Sequence, residues 1–316
     1  MSFGPKICPT GHITNGRPVY YWRLMIYNRG MMNHKSFIMA GLLLAGAVLS
    51  LTPTRETPAS EPPAQPEVMN YRYQVVASYP HDPRAFTQGL VYEDGILYEG
   101  TGLYGQSVLT KRDLKTGQTL KTTHLARRHF GEGITIWGDK IIQLTWRNKT
   151  GFVYRKDTFT LLKEFSYPTE GWGITHDGRR LIYSDGTATL RFLDPNTFAE
   201  TGRIEVRDRG RPVRGLNELE FIPVARDTQA PETPSESGLI FANVWPTDEI
   251  VIIDPKTGRV TGRLGLSTLY PRPADSEAVL NGIAWIPESK HLLVTGKLWP
   301  KVYEIELMEP MPRNQP

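Results

Sequence analysis

The chain has 316 residues, with 37 basic and 33 acidic side chains, 39% hydrophobic residues and a single cysteine. This composition excludes a wholly disordered chain, and one cysteine excludes an internal disulfide framework or a site built from several thiolates. The formal net charge is +4, but five basic residues and no acidic residue precede residue 52, which leaves −1 for the rest. A nearly neutral body gives no electrostatic reason to expect nucleic acid as a partner.

The N-terminal part of the chain, residues 1–51, carries a targeting pattern. Lys35 precedes an apolar run of 15 uncharged residues, 37–51, which is shorter than the ~20 apolar residues that span a bilayer comfortably. A basic flank and a short apolar run are typical of a secretory signal peptide, with an uncleaved anchor as the alternative. Met31 and Met32 would make a conventional signal start, so the true start codon stays open. We expect export to a bacterial periplasm or secretion, with membrane contact only through an uncleaved anchor.

The segment that follows predicts a boundary between targeting region and folded body. Residues 52–70 are proline-rich and show no hydrophobic periodicity, which predicts a solvated linker. We expect the body to span residues 71–309 and to leave a short tail, 310–316. The polar stretch 225–237 predicts an inserted loop within the body.

The body repeats one pattern five times: a marked strand start, a turn and a second β-rich run. The first four marks are separated by 44, 40 and 45 residues, and the last two by 64 across the insertion. A period of ~40–50 residues with about four short strands per unit is typical of a β-propeller. The β-rich segment 71–79 precedes the first unit, so we expect it to complete the last blade and close the ring. The prediction is an all-β, five-bladed β-propeller in a single domain, without a long amphipathic helix. The marks are Gly89, Gly133, Gly173, Glu218 and Gly282.

The loops that start the repeats should meet at one mouth of the central channel, because the first strand of each blade lies nearest the axis. Their motifs, FTQG, FGEG, EGWG, NELE and LNGIAW, carry polar or aromatic residues where a structural turn needs only glycine, aspartate or asparagine. Glutamate and glutamine rarely fill a core, which favours a pocket over packing between blades. The pocket candidates are Gln88, Glu132, Trp172, Asn217 and a fifth set near Lys297.

Glu132 is the most specific of these candidates, because flanking glycines leave its carboxyl uncrowded. A carboxyl in a partly dry mouth would have a raised pKa and could transfer protons near neutral pH. The alternative is a hydrogen bond to the turn of a neighbouring blade. Trp172 and Trp245 could wall a pocket or pack between blades. Lys297, at a strand end, is either a solvated side chain or an electrostatic stabiliser.

Other kinds of site are disfavoured by the sequence. Residues 100–105 fit GxGxxG, but the strand and hairpin turn that follow argue against a dinucleotide site, which needs a helix there. The seven histidines show no HExxH or other tight metal-ligand spacing, and no GxSxG motif is present. These patterns disfavour a catalytic zinc, a dinucleotide site and a Ser-His-Asp centre, while metal ligands scattered over several blades stay open.

Six motifs in one order resemble the plant- and bacterial-type glutaminyl-peptide cyclotransferases: FTQG, FGEG, EGWG, NELE, ANVW and NGIAW…TGKLWPKVYEIEL. The resemblance runs from about Tyr73 to Leu307. It implies a five-bladed propeller, in agreement with the repeat count. It also implies conversion of an N-terminal glutaminyl residue to pyroglutamate with release of ammonia, so peptides or proteins with N-terminal Gln are the expected partners.

The resemblance also implies a role for each site residue. Glu132 of FGEG is the expected proton-transferring acid/base, and no metal or organic cofactor is required. The expected substrate-binding residues are Phe86, Gln88, Trp172, Asn217, Trp245 and Lys297. The substrate's own α-amine would attack its γ-carbonyl, so the site must hold a curled conformer, move one proton and stabilise an oxyanion.

Two other classes of function stay open at this point. A non-catalytic periplasmic propeller that binds a peptide terminus would keep the aromatic and amide residues but would not need Glu132. The second class is another propeller enzyme. A metal-dependent lactonase would need several channel-facing metal ligands, and a quinoprotein dehydrogenase would need recurrent Trp motifs in a much longer chain. A closed propeller has no intrinsic need to associate, so we expect a monomer.

Overall fold

The computed structural model describes residues 67–224, 238–271 and 276–308. These ranges contain 22 strands and no helix. The prediction of an all-β protein without a long helix is therefore confirmed for the described part of the chain. No segment there forms a helix long and apolar enough to cross a membrane.

Several predicted segments lie outside the described residues. They include the targeting region 1–51, nearly all of the linker 52–70, the insertion 225–237 and the tail 310–316. The first strand, β1 (Met69–Pro80), starts two residues before the predicted start of the body.

Three antiparallel sheets follow, each built from four consecutive strands. The first contains β2 (Thr87–Glu93), β3 (Ile96–Thr101), β4 (Val108–Asp113) and β5 (Thr119–His124). The second contains β6 (Gly131–Trp137), β7 (Lys140–Thr145), β8 (Thr150–Arg155) and β9 (Leu161–Ser166). The third contains β10 (Ile174–His176), β11 (Leu181–Ser184), β12 (Thr189–Leu193) and β13 (Glu200–Glu205). A short ribbon of β14 (Arg207–Asp208) and β15 (Arg211–Pro212) comes next.

The remaining strands form one eight-stranded sheet together with β1. They are β16 (Leu216–Pro223), β17 (Gly238–Val244), β18 (Glu249–Ile253), β19 (Val260–Gly265), β20 (Leu280–Ile286), β21 (His291–Gly296) and β22 (Lys301–Met308). The order is β16-β17-β18-β19-β1-β22-β21-β20. β1 pairs antiparallel with β22, as expected for the N-terminal segment, and its start also pairs parallel with β19. This parallel pairing, which the sequence did not predict, joins the last two four-stranded units into one sheet.

Five hydrophobic clusters lie between successive four-stranded units, including the two units that share one sheet. The alternating pattern of each strand turns one set of apolar side chains toward each neighbouring sheet, as the period-2 geometry of a strand requires. Leu109 of β4 and Ile134 of β6 share one cluster, and Leu181 of β11 packs with Ile142 of β7 in the next. The fifth cluster joins Leu90 of β2 to Ala284 of β20, so the end of the chain packs on its first sheet.

The first strands of the five units approach one another very closely. β2 contacts β6 and β20, while β10 contacts β6 and β16, and β16 contacts β20. A Cβ atom on Gly89 would lie 2.4 Å from the nitrogen of Ile134, and one on Gly173 would lie 2.1 Å from the carbonyl oxygen of Asn217. Gly89, Gly133 and Gly173 are therefore positions where neighbouring backbones leave no room for a side chain.

Glu218 occupies the fourth of these marks, where the other repeats have glycine. Its carboxylate accepts hydrogen bonds from the backbone N–H groups of Leu90 at 3.3 Å and Ile283 at 2.8 Å. The side chain thus joins β16 to the first strands of the first and last units. Burial raises the pKa of this carboxyl well above its usual range, and the neighbouring Glu220 adds to the shift.

The close approach at Gly173 predicts a large cost for one added methyl group. We expect Gly173→Ala to lower the free energy of unfolding by about 2–3 kcal/mol, because the backbone of β16 must shift to admit it. The matched control is Gly265→Ala, since a Cβ on Gly265 meets nothing within 4 Å. That variant should stay within about 0.5 kcal/mol of the wild type. Urea unfolding of both variants is the measurement, and equal stabilities would contradict the tight approach.

Candidate active site

The predicted site residues lie at one end of the sheets. Gln88, Glu132 and Asn217 are each the second residue of a first strand; Phe86 immediately precedes β2, and Trp172 lies two residues before β10. Trp245 and Lys297 each follow the last residue of a second strand, β17 and β21. Because first and second strands run antiparallel, the start of one adjoins the end of the other. The strand order thus places all seven residues at the same edge.

The carboxyl group of Glu132 is buried at the centre of this edge. The residue is 4% exposed, and the Nε2 of Gln88 donates a hydrogen bond to its Oε1 at 3.1 Å. Burial raises the pKa of Glu132 well above its usual range; the positive charge of Lys297 opposes the shift and Glu170 adds to it. A carboxyl whose pKa is raised by its surroundings can both accept and return a proton near neutral pH.

Lys297 is buried beside Glu132, although a lysine at a strand end is ordinarily solvated. It is 6% exposed, and its Nζ lies 4.6 Å from the ring centroid of Phe86. Burial lowers the pKa of this ammonium group, while the carboxyls of Glu132 and Glu277 oppose the shift. The site therefore combines a buried acid and a buried base, which is typical of a catalytic centre rather than of a solvated surface.

A row of aromatic rings continues from Phe86 along the same edge. Phe86 meets Phe130 edge-to-face at 6.1 Å between centroids, and Phe130 meets Trp146 at 5.4 Å. Trp172 meets Trp245 at 5.9 Å, nearly perpendicular. Trp245 is 45% exposed, so this end of the row faces solvent. The rings form a wall that runs from the buried acid toward the surface.

Glu170 connects the two halves of this wall. Its Oε2 accepts hydrogen bonds from the indole Nε1 of Trp146 at 2.7 Å and of Trp172 at 3.2 Å. Arg147 pairs with the other carboxylate oxygen at 3.6 Å and lies over the ring of Trp146 at 3.9 Å. Glu170 is the first residue of EGWG, but its role was not predicted, because a glutamate before a glycine ordinarily belongs to a solvated turn.

Asn217 joins the site through its backbone. The hydroxyl of Ser184 donates to the Asn217 carbonyl oxygen at 2.6 Å and accepts from the N–H of Gly173 at 2.8 Å. This fixes Asn217 next to Trp172. The side chain is 2% exposed, and its Oδ1 has no hydrogen-bond partner among the described residues. The predicted site thus contains one buried acceptor without a donor among the described residues.

A buried ion pair ties together the two loops that carry Phe86 and Lys297, and the sequence did not predict it. The Nδ1 of His81 donates to the carbonyl oxygen of Trp299 at 2.6 Å, and its Nε2 lies 3.0 Å from Oε1 of Glu99. Thr87 donates to the same carboxylate oxygen at 2.8 Å. Burial alone would lower the pKa of His81, but the Glu99 carboxylate outweighs it and raises that pKa. Both ring nitrogens thus face acceptors, as in a charged imidazolium.

Three further features bear on the kind of site: possible metal ligands, the GxGxxG segment and a second cleft. Among the described residues, no group of three His, Cys, Asp or Glu is arranged to hold a metal ion. The GxGxxG segment begins at the end of β3 and leads into β4, so the strand predicted after this motif is confirmed. A cleft lined by Arg180 and Lys256 lies at the far end of β10 from Trp172 and contains none of the predicted site residues.

A family model described as glutamine cyclotransferase matches residues 43–307. The chain belongs to the glutamine cyclotransferase family. It is 43% identical over 242 residues to a glutaminyl-peptide cyclotransferase of Arabidopsis thaliana, a match that covers 75% of this chain and 71% of the plant protein. A crystal structure of Myxococcus xanthus glutaminyl cyclase matches with a TM-score of 0.68 and 34% identity, over 78% of this chain and 100% of that one.

Membership of the glutamine cyclotransferase family confirms the resemblance drawn from the six sequence motifs. It also places the chain among enzymes, in an acyltransferase class. The matched range contains every predicted site residue, from Phe86 to Lys297.

Proposed function

We propose that this chain converts the N-terminal glutaminyl residue of peptides and proteins into pyroglutamate with release of ammonia, and that Glu132 is the acid/base. One observation carries the proposal: in a chain of this family, a buried carboxyl with a raised pKa lies between Gln88 and Lys297 beside an aromatic wall. A module that only binds a peptide terminus has no need for such a carboxyl.

Ring closure requires one proton to move twice. The substrate α-amine attacks its own γ-carbonyl carbon, and the Glu132 carboxylate accepts a proton from that nitrogen as the new N–C bond forms. The protonated Glu132 then returns the proton to the departing amide nitrogen as the old C–N bond breaks and ammonia leaves. Each such proton transfer by a positioned side chain contributes typically about 10²–10⁴-fold to the rate.

Binding and charge stabilisation fall to the neighbouring residues. The aromatic wall, including Phe86, Trp172 and Trp245, holds the curled conformer of the glutaminyl side chain, which is catalysis by proximity. Lys297 supplies positive charge near the developing oxyanion, and a well-placed donor in a dry site contributes about 3–4 kcal/mol. The free Oδ1 of Asn217 accepts a hydrogen bond from the substrate's nitrogen. The reaction is neither redox nor hydrolytic, and we propose that it proceeds without a metal or organic cofactor.

We also propose that the fold is a five-bladed β-propeller. Each of the five hydrophobic clusters joins two successive four-stranded units, and one of them joins the last unit to the first. This supports a closed ring of units. The mutual contacts of the first strands β2, β6, β10, β16 and β20 support their placement around one axis. In this arrangement Glu132 and Gln88 lie at one mouth of the central channel.

We further propose that the chain is exported as a monomer to the periplasm or the medium. The proposal rests on the apolar run 37–51 and its basic flank. Fractionation of cells that express the full chain tests it, together with the mass of the exported protein, which separates a cleaved signal from a retained anchor.

The activity is tested with a short peptide that begins with Gln, the full chain and a chelator. We expect release of one ammonia per peptide and a matching mass loss of about 17 Da. The same peptide with an acetylated N-terminus is the control, because its blocked amine cannot attack. Absence of turnover by well-folded protein would overturn the proposed activity and favour a peptide-binding module. Turnover that the chelator abolishes would overturn the metal-free reaction alone.

Glu170 provides a prediction about the pH dependence of this reaction. We expect Glu170→Gln to shift the acidic limb of kcat toward lower pH, because it removes a negative charge that helps to raise the pKa of Glu132. The remaining amide oxygen can still accept from the indoles of Trp146 and Trp172, so KM should change little. The matched control is Glu205→Gln, a carboxylate of similar exposure in β13. An unshifted limb in Glu170→Gln would contradict the electrostatic role.

A further inference from the structure

Asn281, the second residue of β20, is completely buried next to the site but is not among the predicted site residues. Its Nδ2 donates two hydrogen bonds, to the backbone carbonyl oxygen of Thr87 at 2.9 Å and to Oε1 of Gln88 at 3.0 Å. Gln88 in turn donates to Glu132. A continuous series of hydrogen bonds therefore leads from a backbone carbonyl to the proposed acid/base.

The donor and acceptor of every hydrogen bond in this series follow from the group at its start, the backbone carbonyl of Thr87. A backbone carbonyl oxygen can only accept, so the side of Asn281 that faces Thr87 must be its NH₂ group. The second hydrogen of that group then faces Gln88, which must present its amide oxygen. The NH₂ group of Gln88 is thereby directed at Oε1 of Glu132.

The backbone around Asn281 holds it in this position. Gly282 has a φ of 126°, a conformation that residues with a side chain rarely adopt, and its N–H donates to Oδ1 of Asn243 at 2.9 Å. The register of β20 against β21 also shifts at this point, between Leu280 and Ile283. The glycine and the shift turn Asn281 out of the regular ladder and toward β2.

We propose that Asn281 is a positioning residue that, through Gln88, occupies Oε1 of Glu132 with an N–H donor and leaves Oε2 to carry the exchanged proton. Accepting the N–H makes Oε1 the less basic oxygen, so the proton taken from the substrate nitrogen is held on Oε2. Without Asn281 the amide of Gln88 can rotate and present its oxygen to Glu132 instead. This inference rests on the proposed role of Glu132 in cyclisation.

The loss of Asn281 has a kinetic signature that a purely structural residue would not produce. A donor to a carboxylate favours its charged form, whereas a carbonyl oxygen in the same place favours the protonated form. In Asn281→Leu we therefore expect the limb of kcat that reports deprotonation of Glu132 to move to higher pH. The plateau kcat should fall about tenfold, the effect of losing one hydrogen bond to a charged group. KM should change less than kcat.

A double-mutant cycle with Gln88→Met tests whether Asn281 acts through Gln88. Gln88→Met alone should shift the pH limb in the same direction, and adding Asn281→Leu should have little further effect on kcat. Two results would overturn the inference. One is a loss of kcat in the double variant equal to the product of the two single losses. The other is a pH limb of kcat that stays at the wild-type position in folded Asn281→Leu. If Asn281→Leu does not fold, an unmoved limb in Gln88→Met overturns it instead.

The matched control is Thr295→Val in the adjoining strand β21. Thr295 is also completely buried and donates its hydrogen bond to the carbonyl oxygen of Lys301 at 2.9 Å, not to Gln88. This variant should keep the wild-type pH profile. An inactive wild type would overturn the proposed function, whereas an active wild type with unshifted variants would overturn only the role of Asn281.

Discussion

Replacement of Glu132 by glutamine is expected to lower kcat for a Gln-initiated peptide by about 10²–10⁴-fold, the usual contribution of a positioned acid/base. Glutamine has nearly the same shape and can still accept the hydrogen bond from Gln88, so KM and folding should change little. Steady-state ammonia release is the measurement, with an unfolding curve to establish that the variant is folded.

Glu304→Gln is the matched control for Glu132→Gln. Glu304 is also buried, at 8% exposure, and binds Tyr79 of β1 and His291 of β21. The control should keep wild-type kcat. Undiminished turnover by folded Glu132→Gln would remove Glu132 from the mechanism.

The second large effect is expected from the ion pair that ties the loops of the site together. His81→Leu should lower the free energy of unfolding at pH 6 by about 3–5 kcal/mol, because it leaves the carboxylate of Glu99 buried without its partner. Glu99 is completely buried, and Arg112, its other cationic neighbour, lies 3.7 Å away. Urea unfolding measures the change. His124→Leu, at an exposed position of β5, should have little effect.

The pH dependence of this loss follows from the two pKa shifts. His81 has a raised pKa, so its contribution is complete below its usual value of 6.5 and disappears as the pH rises through the raised value. Burial alone would raise the pKa of Glu99, but His81, together with Arg112 and Thr87, outweighs burial and lowers it. Its contribution is complete above its usual 4.5 and disappears as the pH falls through the lowered value.

The stability difference between wild type and His81→Leu should therefore be largest between these limits and decrease on either side. The double variant His81→Leu with Glu99→Leu should recover much of the lost stability, since an apolar pair of similar volume can replace a buried ion pair. No recovery would indicate that the cost arises from packing rather than from charge.

The sequence was sufficient to predict the all-β class and the residues at the strand starts. The reason is local: a glycine or asparagine mark followed by a period-2 run is a property of a few neighbouring residues. Four of the five marks lie within a first strand in the structure, and Gly173 immediately precedes β10. Gln88, Glu132 and Lys297 could accordingly be selected before their contacts were known.

The partners of these residues could not be predicted, because they come from distant parts of the chain. Asn281 meets Gln88 across 193 residues, and His81 meets Trp299 across 218. Which side chains face each other there depends on how the sheets pack, not on any local pattern. Glu170 is near Trp172 in sequence, but its role depends on Trp146, 24 residues earlier.

The pairing of β1 with β22 makes the two ends of the described body depend on each other. The last unit has only three strands of its own, and the fourth comes from residues that are synthesised first. This unit cannot be completed until the end of the chain is available, and a contact of such sequence separation forms slowly. The proposed active site includes Lys297 from the same unit, so a chain whose synthesis has not passed β22 lacks a finished site. Catalytic competence would thus arise only at the end of synthesis, and a truncation that removes β22 should abolish activity although it leaves every proposed site residue in place.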